Sequence, residues 1–197
     1  MNSTKKILIA NRGVIAIRAL RAAKELGYQV ASIYSTADKN LKHLKLSDEA
    51  ICIGPPDSKD SYLNEAAIIS AAELANVDGI YPGYGFLSEN AEFAEKCKNS
   101  GFKFIGPSHE IISLMGDKIQ AKNLMRQLGV PVVPGYEGPV ESKEQIEDEV
   151  KKVGLPIIIK AAAGGGGRGM RIVRELSELW DAIEDARSEA NAAFGSD

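Results

Sequence analysis

The chain has 197 residues, of which 44% are hydrophobic and 26% are charged, and its formal net charge at pH 7 is −3. This length suffices for one packed domain and part of a second. The basic residues are scattered, so we predict no nucleic-acid partner and no membrane partner. Because no apolar run approaches the length of a membrane span and the start lacks a signal-peptide core, we expect a cytoplasmic protein.

The first 130 residues alternate apolar, strand-like segments with helical segments. The apolar runs predict five strands, at residues 6–10, 29–34, 50–53, 78–81 and 103–105. Apolar residues at helical spacing predict intervening helices at residues 14–26, 65–75 and 90–99, with Gly27 ending the first of them. Such an alternation is typical of an α/β fold with a doubly wound, mostly parallel sheet.

Ligands of doubly wound sheets bind beyond the carboxyl ends of the strands. Three loops rich in glycine and polar residues occupy those positions here: Asn11-Arg12-Gly13, Pro82-Gly83-Tyr84-Gly85 and Gly106-Pro107. We therefore expect a binding site at this edge of the sheet.

Two further helices are predicted at residues 108–115 and 117–128, and a connector with two prolines follows at 130–135. Proline excludes a regular helix there, so we predict a domain boundary near residue 130 and two domains, 1–130 and 131–197. In the second domain we expect a helix at 142–154, strands at 156–159 and 170–173, and a helix at 176–194. This pattern predicts a small α+β unit.

The two predicted strands of the second domain flank a lysine and a glycine-rich loop. Lys160 ends the first strand, and Gly164, Gly165, Gly166, Gly167 and Gly169 precede the second. Glycines let backbone N–H groups approach a phosphate, and a lysine adds a positive charge. The loop matches neither the P-loop motif nor the dinucleotide-binding motif, because no Lys-Ser, Lys-Thr or helix follows the glycines. A flexible linker is the alternative.

Several segments together resemble the biotin carboxylase family, whose members are ATP-grasp enzymes that carboxylate biotin on a carrier protein. The resemblance runs in order through nearly the whole chain. The segments that carry it are Ile9 to Gly13, Asp48-Glu49-Ala50, Ser61 to Asn64, Tyr81 to Asn90 (YPGYGFLSEN), Phe104 to Pro107, Leu114 to Lys118 (LMGDK) and Lys160 to Met170. Val14 departs from the family, which usually has glutamate directly after Asn-Arg-Gly.

The resemblance implies the amino-terminal domain of the family, also called the pre-ATP-grasp domain, followed by an incomplete ATP-grasp lid. It implies that ATP is bound by Lys118, Lys160, the five glycines named above and Met170, and that Tyr84 lies near biotin. No catalytic residue and no metal ligand can be assigned. The resemblance places the Mg²⁺ ligands outside this chain, so we expect the chain alone to be inactive.

The implied reaction is the ATP- and bicarbonate-dependent carboxylation of biotin through carboxyphosphate, in an acetyl-CoA, propionyl-CoA or pyruvate carboxylase. The implied partners are a biotin carboxyl carrier protein, a carboxyltransferase component and a second copy in a homodimer. Two other interpretations stay open from the residues alone. One is an ATP-grasp ligase of the carbamoyl-phosphate synthetase type, and the other is a non-catalytic binding or assembly module.

Overall fold

A computed structural model describes residues 5–136, 138, 140, 142–160 and 170–194. The chain forms two compact units, Met1–Asp117 and Lys118–Asp197. This division lies earlier in the chain than the proline-containing connector at 130–135, because the helix that precedes the connector groups with the second unit. The domain boundary near residue 130 stays a prediction.

The first unit is built on a five-stranded sheet in which all neighbouring strands are parallel, in the order β3-β2-β1-β4-β5. This confirms the predicted α/β fold with a doubly wound parallel sheet. The strands are β1 (Lys6–Ile9), β2 (Gln29–Ser35), β3 (Glu49–Gly54), β4 (Gly79–Tyr81) and β5 (Lys103–Phe104). The helices are α1 (Gly13–Glu25), α2 (Lys42–Leu46), α3 (Glu65–Leu74), α4 (Ala91–Asn99) and α5 (His109–Gly116).

Helices α1, α3 and α4 lie close to the predicted ranges, whereas α2 was not predicted. Asn64 and Asn90 are the N-caps of α3 and α4, and their side-chain oxygens accept hydrogen bonds from the N–H groups of Ala67 and Phe93. These bonds satisfy helix N–H groups that lack a partner in the first turn. After α1 the chain turns at Gly27, whose φ of 78° suits a residue without a side chain.

Both faces of the sheet are covered, and β1 shows this directly. Leu8 faces a core with residues of α3 and α4, whereas Ile7 and Ile9 face a core with residues of α1. Successive strand residues point to opposite faces, so an apolar run such as Ile7-Leu8-Ile9 requires helices on both sides. This explains why β1 is apolar on both faces from Ile7 to Ile9.

The order of the strands changes direction at β1. From β1 the chain continues to β2 and β3 on one side, and it later returns to β4 and β5 on the other side. The helix that follows β1 and the loop that follows β4 therefore diverge and leave a crevice at the carboxyl ends of these two strands. In sheets of this kind this crevice is the usual position of a ligand.

Among its described residues, the second unit contains a two-stranded antiparallel sheet and three helices. Its elements are α6 (Lys118–Gln127), α7 (Lys143–Val153), β6 (Ile157–Lys160), β7 (Met170–Val173) and α8 (Leu179–Phe194). A 3₁₀ turn at Leu176–Glu178 precedes α8, so the helix that we predicted from residue 176 begins three residues later. The buried core of the second unit is formed by Ile146, Val150, Val173, Leu179 and Ile183.

Of the helices in the described ranges, none has both the length and the apolar character needed to cross a bilayer.

Candidate functional site

A cleft of about 450 Å³ lies at the crevice between β1 and β4. Its lining residues come from the two loops that follow these strands and from the first turn of α1: Asn11, Arg12, Val14, Ile15, Tyr84, Gly85 and Phe86. The sequence predicted a site at this edge, and the structure brings the first two of the three predicted loops together there.

Asn11 joins the two loops. Its side chain is fully buried, and its amide Nδ2 donates to the backbone oxygens of Pro82, at 2.8 Å, and Tyr84, at 3.0 Å. Its Oδ1 accepts a hydrogen bond from the backbone N–H of Arg12 at 2.9 Å. A buried amide is stable only when its donors and acceptor are satisfied. Asn11 meets this condition by fixing the loop after β4 against the loop after β1.

Gly83 is required by this close contact between the loops. Its φ is 72°, and a Cβ atom added there would lie 2.7 Å from Ile15 Cγ2 and 3.0 Å from Asn11 Nδ2. A side chain would therefore meet both an unfavourable backbone conformation and occupied space. Gly85 has the same φ, but a Cβ atom there would meet nothing within 4 Å.

Arg12 lies at the centre of a polar and aromatic network behind the cleft. Its Nη1 donates to Asp38 Oδ2 at 3.0 Å, and its guanidinium carbon lies 5.2 Å from the ring centre of Tyr62 and 5.6 Å from that of Phe86. These two rings are stacked with their centres 4.9 Å apart. Both distances from the guanidinium are within the range of a cation–π interaction. The arginine is thereby held in one orientation.

Asp38 accepts three hydrogen bonds at the same oxygen, from Arg12, from the Tyr62 hydroxyl at 2.7 Å and from the Ser35 hydroxyl at 3.1 Å. Burial opposes the ionised carboxylate, but the hydrogen bonds from Tyr62, Arg12 and Ser35 outweigh it and hold the pKa of Asp38 below its ordinary value. Burial, together with the neighbouring carboxylate, raises the pKa of Tyr62 well above its ordinary value. At neutral pH the network therefore contains an arginine cation, a carboxylate and a neutral tyrosine.

The open side of the cleft is apolar. Tyr84 is 67% exposed and Val14 is 74% exposed, and both border the opening. Large apolar side chains with so little cover are typical of surfaces that contact a ligand or another protein. The cleft thus offers an apolar rim beside a fixed guanidinium group. Tyr84, which we predicted as a site residue, stands at this rim.

The hairpin of β6 and β7 forms a second candidate surface, in the second unit. Lys160 is paired directly with Met170, and Ile158 is paired with Ile172. These four side chains lie on the same exposed face, since alternate residues of a strand share a face and directly paired residues lie side by side. Ile158 is 55% exposed and Ile172 is 60% exposed. The opposite face packs on the core of the unit.

The predicted ATP-binding residues are thus only partly described. Lys160 and Met170 lie side by side at the end of the hairpin where β6 ends and β7 begins. Lys118 is the first residue of α6 and is exposed. The glycines Gly164, Gly165, Gly166, Gly167 and Gly169 fall outside the described residues.

Two groups of residues at these surfaces were missed by the sequence analysis. Asp38 lies in no motif, and Tyr62 lies in the segment Ser61 to Asn64 without a role of its own, because both reach Arg12 only through the fold. The exposure of Ile158 was hidden by the run Ile157-Ile158-Ile159, which is typical of a strand buried on both faces. Within the part of the chain that the structure describes, no group of three or more His, Cys, Asp or Glu residues could hold a metal ion. We therefore assign no metal ligand.

Two family models match the chain. Residues 3–112 match the biotin carboxylase N-terminal domain, and residues 117–197 match the ATP-binding domain of the carbamoyl-phosphate synthase L chain. The biotin carboxylase of Haemophilus influenzae is 56% identical over 194 residues, which are 98% of this chain and 43% of that protein. The chloroplastic biotin carboxylase of Arabidopsis thaliana is 49% identical over 192 residues, which are 98% of this chain and 36% of that protein.

Solved structures of biotin carboxylases have the same fold. A complex of the Campylobacter jejuni biotin carboxylase with β,γ-ATP is 54% identical, with a TM-score of 0.88 over 98% of this chain and 43% of that one. The biotin carboxylase domain dimer of Hydrogenobacter thermophilus 2-oxoglutarate carboxylase, in complex with MgADP, ADP and bicarbonate, is 46% identical, with a TM-score of 0.85 over 98% and 42%.

The chain spans less than half the length of these relatives. The match to the N-terminal domain model nevertheless covers more than half of the chain, and it includes both loops of the cleft. By this match, the chain belongs to the biotin carboxylase family, in the part that corresponds to its N-terminal domain.

Proposed function

We propose that the chain is the amino-terminal part of a biotin carboxylase, a ligase that uses ATP and bicarbonate to carboxylate biotin on a carrier protein. The structural observation that supports the use of ATP most directly is the exposed face of the β6–β7 hairpin. It combines an apolar surface, formed by Ile158, Ile172 and Met170, with the positive charge of Lys160, the last residue of β6.

This hairpin face fits a nucleotide. A purine ring is flat and largely apolar, and it can cover exposed isoleucine and methionine side chains with little loss of hydration. Lys160, beside Met170, would then contact the phosphates as a compact positive charge. By the family resemblance, Lys118 is the second lysine that binds ATP, and the glycines at 164–167 and 169 cover the phosphates.

The cleft at β1 and β4 fits biotin. The bicyclic ring of biotin has an apolar body and a polar ureido edge, and the cleft has an apolar rim beside a guanidinium group. We therefore place Tyr84 near biotin, as the resemblance implies. The ring of Tyr84 is exposed, so contact with biotin would also remove apolar surface from water.

The reaction would proceed in two stages. A bicarbonate oxygen attacks the γ-phosphorus of ATP, and ADP leaves, which gives carboxyphosphate. Carboxyphosphate then breaks down to phosphate and carbon dioxide. The ureido nitrogen of biotin forms a bond to the carbon of carbon dioxide, and the proton that this nitrogen loses passes to the released phosphate. In phosphoryl transfer the protein acts by positioning and by charge neutralisation, which is the role of Lys160 and Lys118 here. Mg²⁺ supplies further positive charge, but we assign it no ligand in this chain.

We also propose partners and a location for this protein. The biotin would be carried by a biotin carboxyl carrier protein, and a carboxyltransferase component would use the product. A homodimer is supported by the Hydrogenobacter thermophilus relative, which is described as a dimer. We propose a cytoplasmic protein of an acetyl-CoA, propionyl-CoA or pyruvate carboxylase system.

The test is bicarbonate-dependent ATP hydrolysis by the complete protein that contains this chain. We expect Lys160→Met and Lys118→Met each to lower kcat/KM for ATP by about tenfold or more, because a charge-assisted contact contributes about 1.5–3 kcal/mol. Lys151→Met is the matched control. Lys151 is an exposed lysine of the same unit that pairs with Asp148 on its own helix, and its loss should leave the kinetics unchanged. Unchanged kinetics for both Lys160→Met and Lys118→Met would contradict the assignment.

A second candidate is an ATP-grasp ligase of the carbamoyl-phosphate synthetase type. It is favoured by the match of residues 117–197 to the ATP-binding domain of that family. The first 112 residues favour biotin carboxylase. Stimulation of ATP hydrolysis by free biotin, and not by ammonia, would support the first proposal, whereas the reverse result would support the second. Absence of ATP hydrolysis under both conditions would support the interpretation of the chain as a non-catalytic binding or assembly module.

A further inference from the structure

The loop that carries Tyr84 has an unfavourable backbone conformation. Gly83 and Gly85 each have a φ of 72°, and Phe86 has a φ of 44°. A left-handed conformation is acceptable for glycine, but it is a strained one for a phenylalanine. Such a residue persists only where its surroundings hold it, and residues of this kind cluster at functional sites. The contacts of Phe86 therefore decide whether the loop keeps its shape.

Two side chains hold the ring of Phe86. The ring of Tyr62 stacks on it, with the ring centres 4.9 Å apart and the planes 14° from parallel, and the guanidinium of Arg12 lies 5.6 Å from its centre. Tyr62 and Arg12 are in turn held by one carboxylate oxygen of Asp38. Asp38 thus connects to the strained residue through both of its neighbours.

Asp38 and Tyr62 do not line the cleft. Tyr62 is fully buried, and the Asp38 side chain is only 13% exposed. Neither side chain is therefore in a position to touch a ligand in the cleft. Their effect on such a ligand must pass through Arg12 and Phe86, both of which line it.

We propose that Asp38 and Tyr62 are positioning residues for the biotin-carboxylation reaction. They hold Arg12 and Phe86, and thereby the strained loop, in the conformation that places Tyr84 at the rim of the cleft. The expected effect of Asp38 and Tyr62 on biotin rests on the proposed function, whereas their expected effect on the conformation of the loop does not depend on it.

The first measurement is amide hydrogen exchange of this chain, which does not depend on any activity. The Ser88 N–H donates to the Gly85 oxygen at 3.0 Å, and the Asn90 N–H donates to the Leu87 oxygen at 3.1 Å, so these two amides report on the loop. In Tyr62→Leu and in Asp38→Asn we expect faster exchange at both amides and unchanged exchange in β1. Asp38→Asn keeps the shape of the side chain, and it decides the question if Tyr62→Leu does not fold.

Tyr28→Leu is the matched control. Tyr28 packs on the apolar core at the opposite face of the sheet, with residues of α1. This change also removes a partly buried tyrosine ring from the first unit, but it should leave the exchange of the two loop amides unchanged. Loop exchange that is unaltered in both Tyr62→Leu and Asp38→Asn, or that rises equally in Tyr28→Leu, would overturn the positioning role.

The second measurement is made on the complete protein, with free biotin as the acceptor. We expect Tyr62→Leu and Asp38→Asn to raise KM for biotin about tenfold, the equivalent of about 1.4 kcal/mol, while KM for ATP stays within about twofold. Tyr62→Phe keeps the stacked ring and should recover most of the loss. An equal rise in both KM values would show a merely structural role and overturn the proposal. If the unaltered protein did not carboxylate biotin, the proposed function would fail, and the exchange data alone would decide the positioning of the loop.

Discussion

Gly83→Ala tests the contact between the two loops of the cleft. An alanine there would have to adopt a φ of 72°, which costs about 1–2 kcal/mol for a residue with a Cβ atom. The new Cβ would also lie 2.7 Å from Ile15 Cγ2 and 3.0 Å from Asn11 Nδ2. Crowding of this kind typically costs a further 1–3 kcal/mol or so. We expect a loss of about 2–5 kcal/mol in the free energy of unfolding of the first unit.

Gly85→Ala is the matched control for this prediction. Gly85 has the same φ of 72°, but a Cβ atom there would have no neighbour within 4 Å. Its replacement should cost only the conformational part, about 1–2 kcal/mol. The difference between the two variants therefore isolates the close approach of Gly83 to Asn11 and Ile15.

Amide hydrogen exchange is the appropriate assay, because the only tryptophan, Trp180, lies in the second unit and does not report on the first. The Ala10 N–H, which donates to the Tyr81 oxygen at 2.8 Å, reports on the pairing of β1 and β4. We expect its protection to fall at least about fivefold further in Gly83→Ala than in Gly85→Ala, since a crowding cost of about 1 kcal/mol corresponds to a factor of about five. Equal protection in the two variants would refute the reasoning. Trp180 fluorescence in urea should have the same midpoint in both variants.

Three further predictions concern single residues of the first unit. Val14→Glu should stabilise this unit by about 0.3–1 kcal/mol at low salt, because a carboxylate interacts favourably with the N-terminal end of the helix dipole and α1 has no acidic residue in its first turn. Val14→Gln is the control in urea unfolding, and a gain that persists in high salt would contradict this dipole explanation. Asn90→Ala should cost about 1 kcal/mol by the same assay, because the N–H of Phe93 loses its acceptor, and an unchanged midpoint would argue against the cap. His43 is buried, and its Nδ1 has no hydrogen-bond partner within the described ranges. Burial lowers the pKa of His43 and outweighs the hydrogen bond to the Ile33 oxygen and the charge of Asp38, which both raise it. The unfolded chain therefore binds a proton at His43 more readily than the folded chain does. The contribution of His43 to the free energy of unfolding is fully present above about pH 6.5, and it is lost as the pH falls below this value towards the lowered pKa. His43→Gln should remove this part of the pH dependence, and an unchanged slope would show that another group causes it.

The elements of the first unit follow from local sequence. Apolar runs predicted all five strands, and helical spacing and the turn at Gly27 predicted α1, α3 and α4, whereas α2 was not predicted. These signals are local because a strand needs only an apolar run and a helix needs only its own periodicity and caps. The rule that ligands bind at the carboxyl ends of parallel strands selected three loops, of which those at Asn11 and Tyr84 line the cleft.

The tertiary structure alone decided which of these residues meet. Asn11 and Tyr84 are 73 positions apart, and they touch because the sheet places β4 beside β1. Asp38 reaches Arg12 and Tyr62 because the sheet places β2 between β1 and β3, and no spacing in the chain marks the three as a group. Ile158 lies in an apolar strand-like run, yet among the described residues the hairpin packs on a core with one face only. Strand order and the covering of a face result from packing between distant segments, and a local pattern contains no information about which distant segment will pack against it.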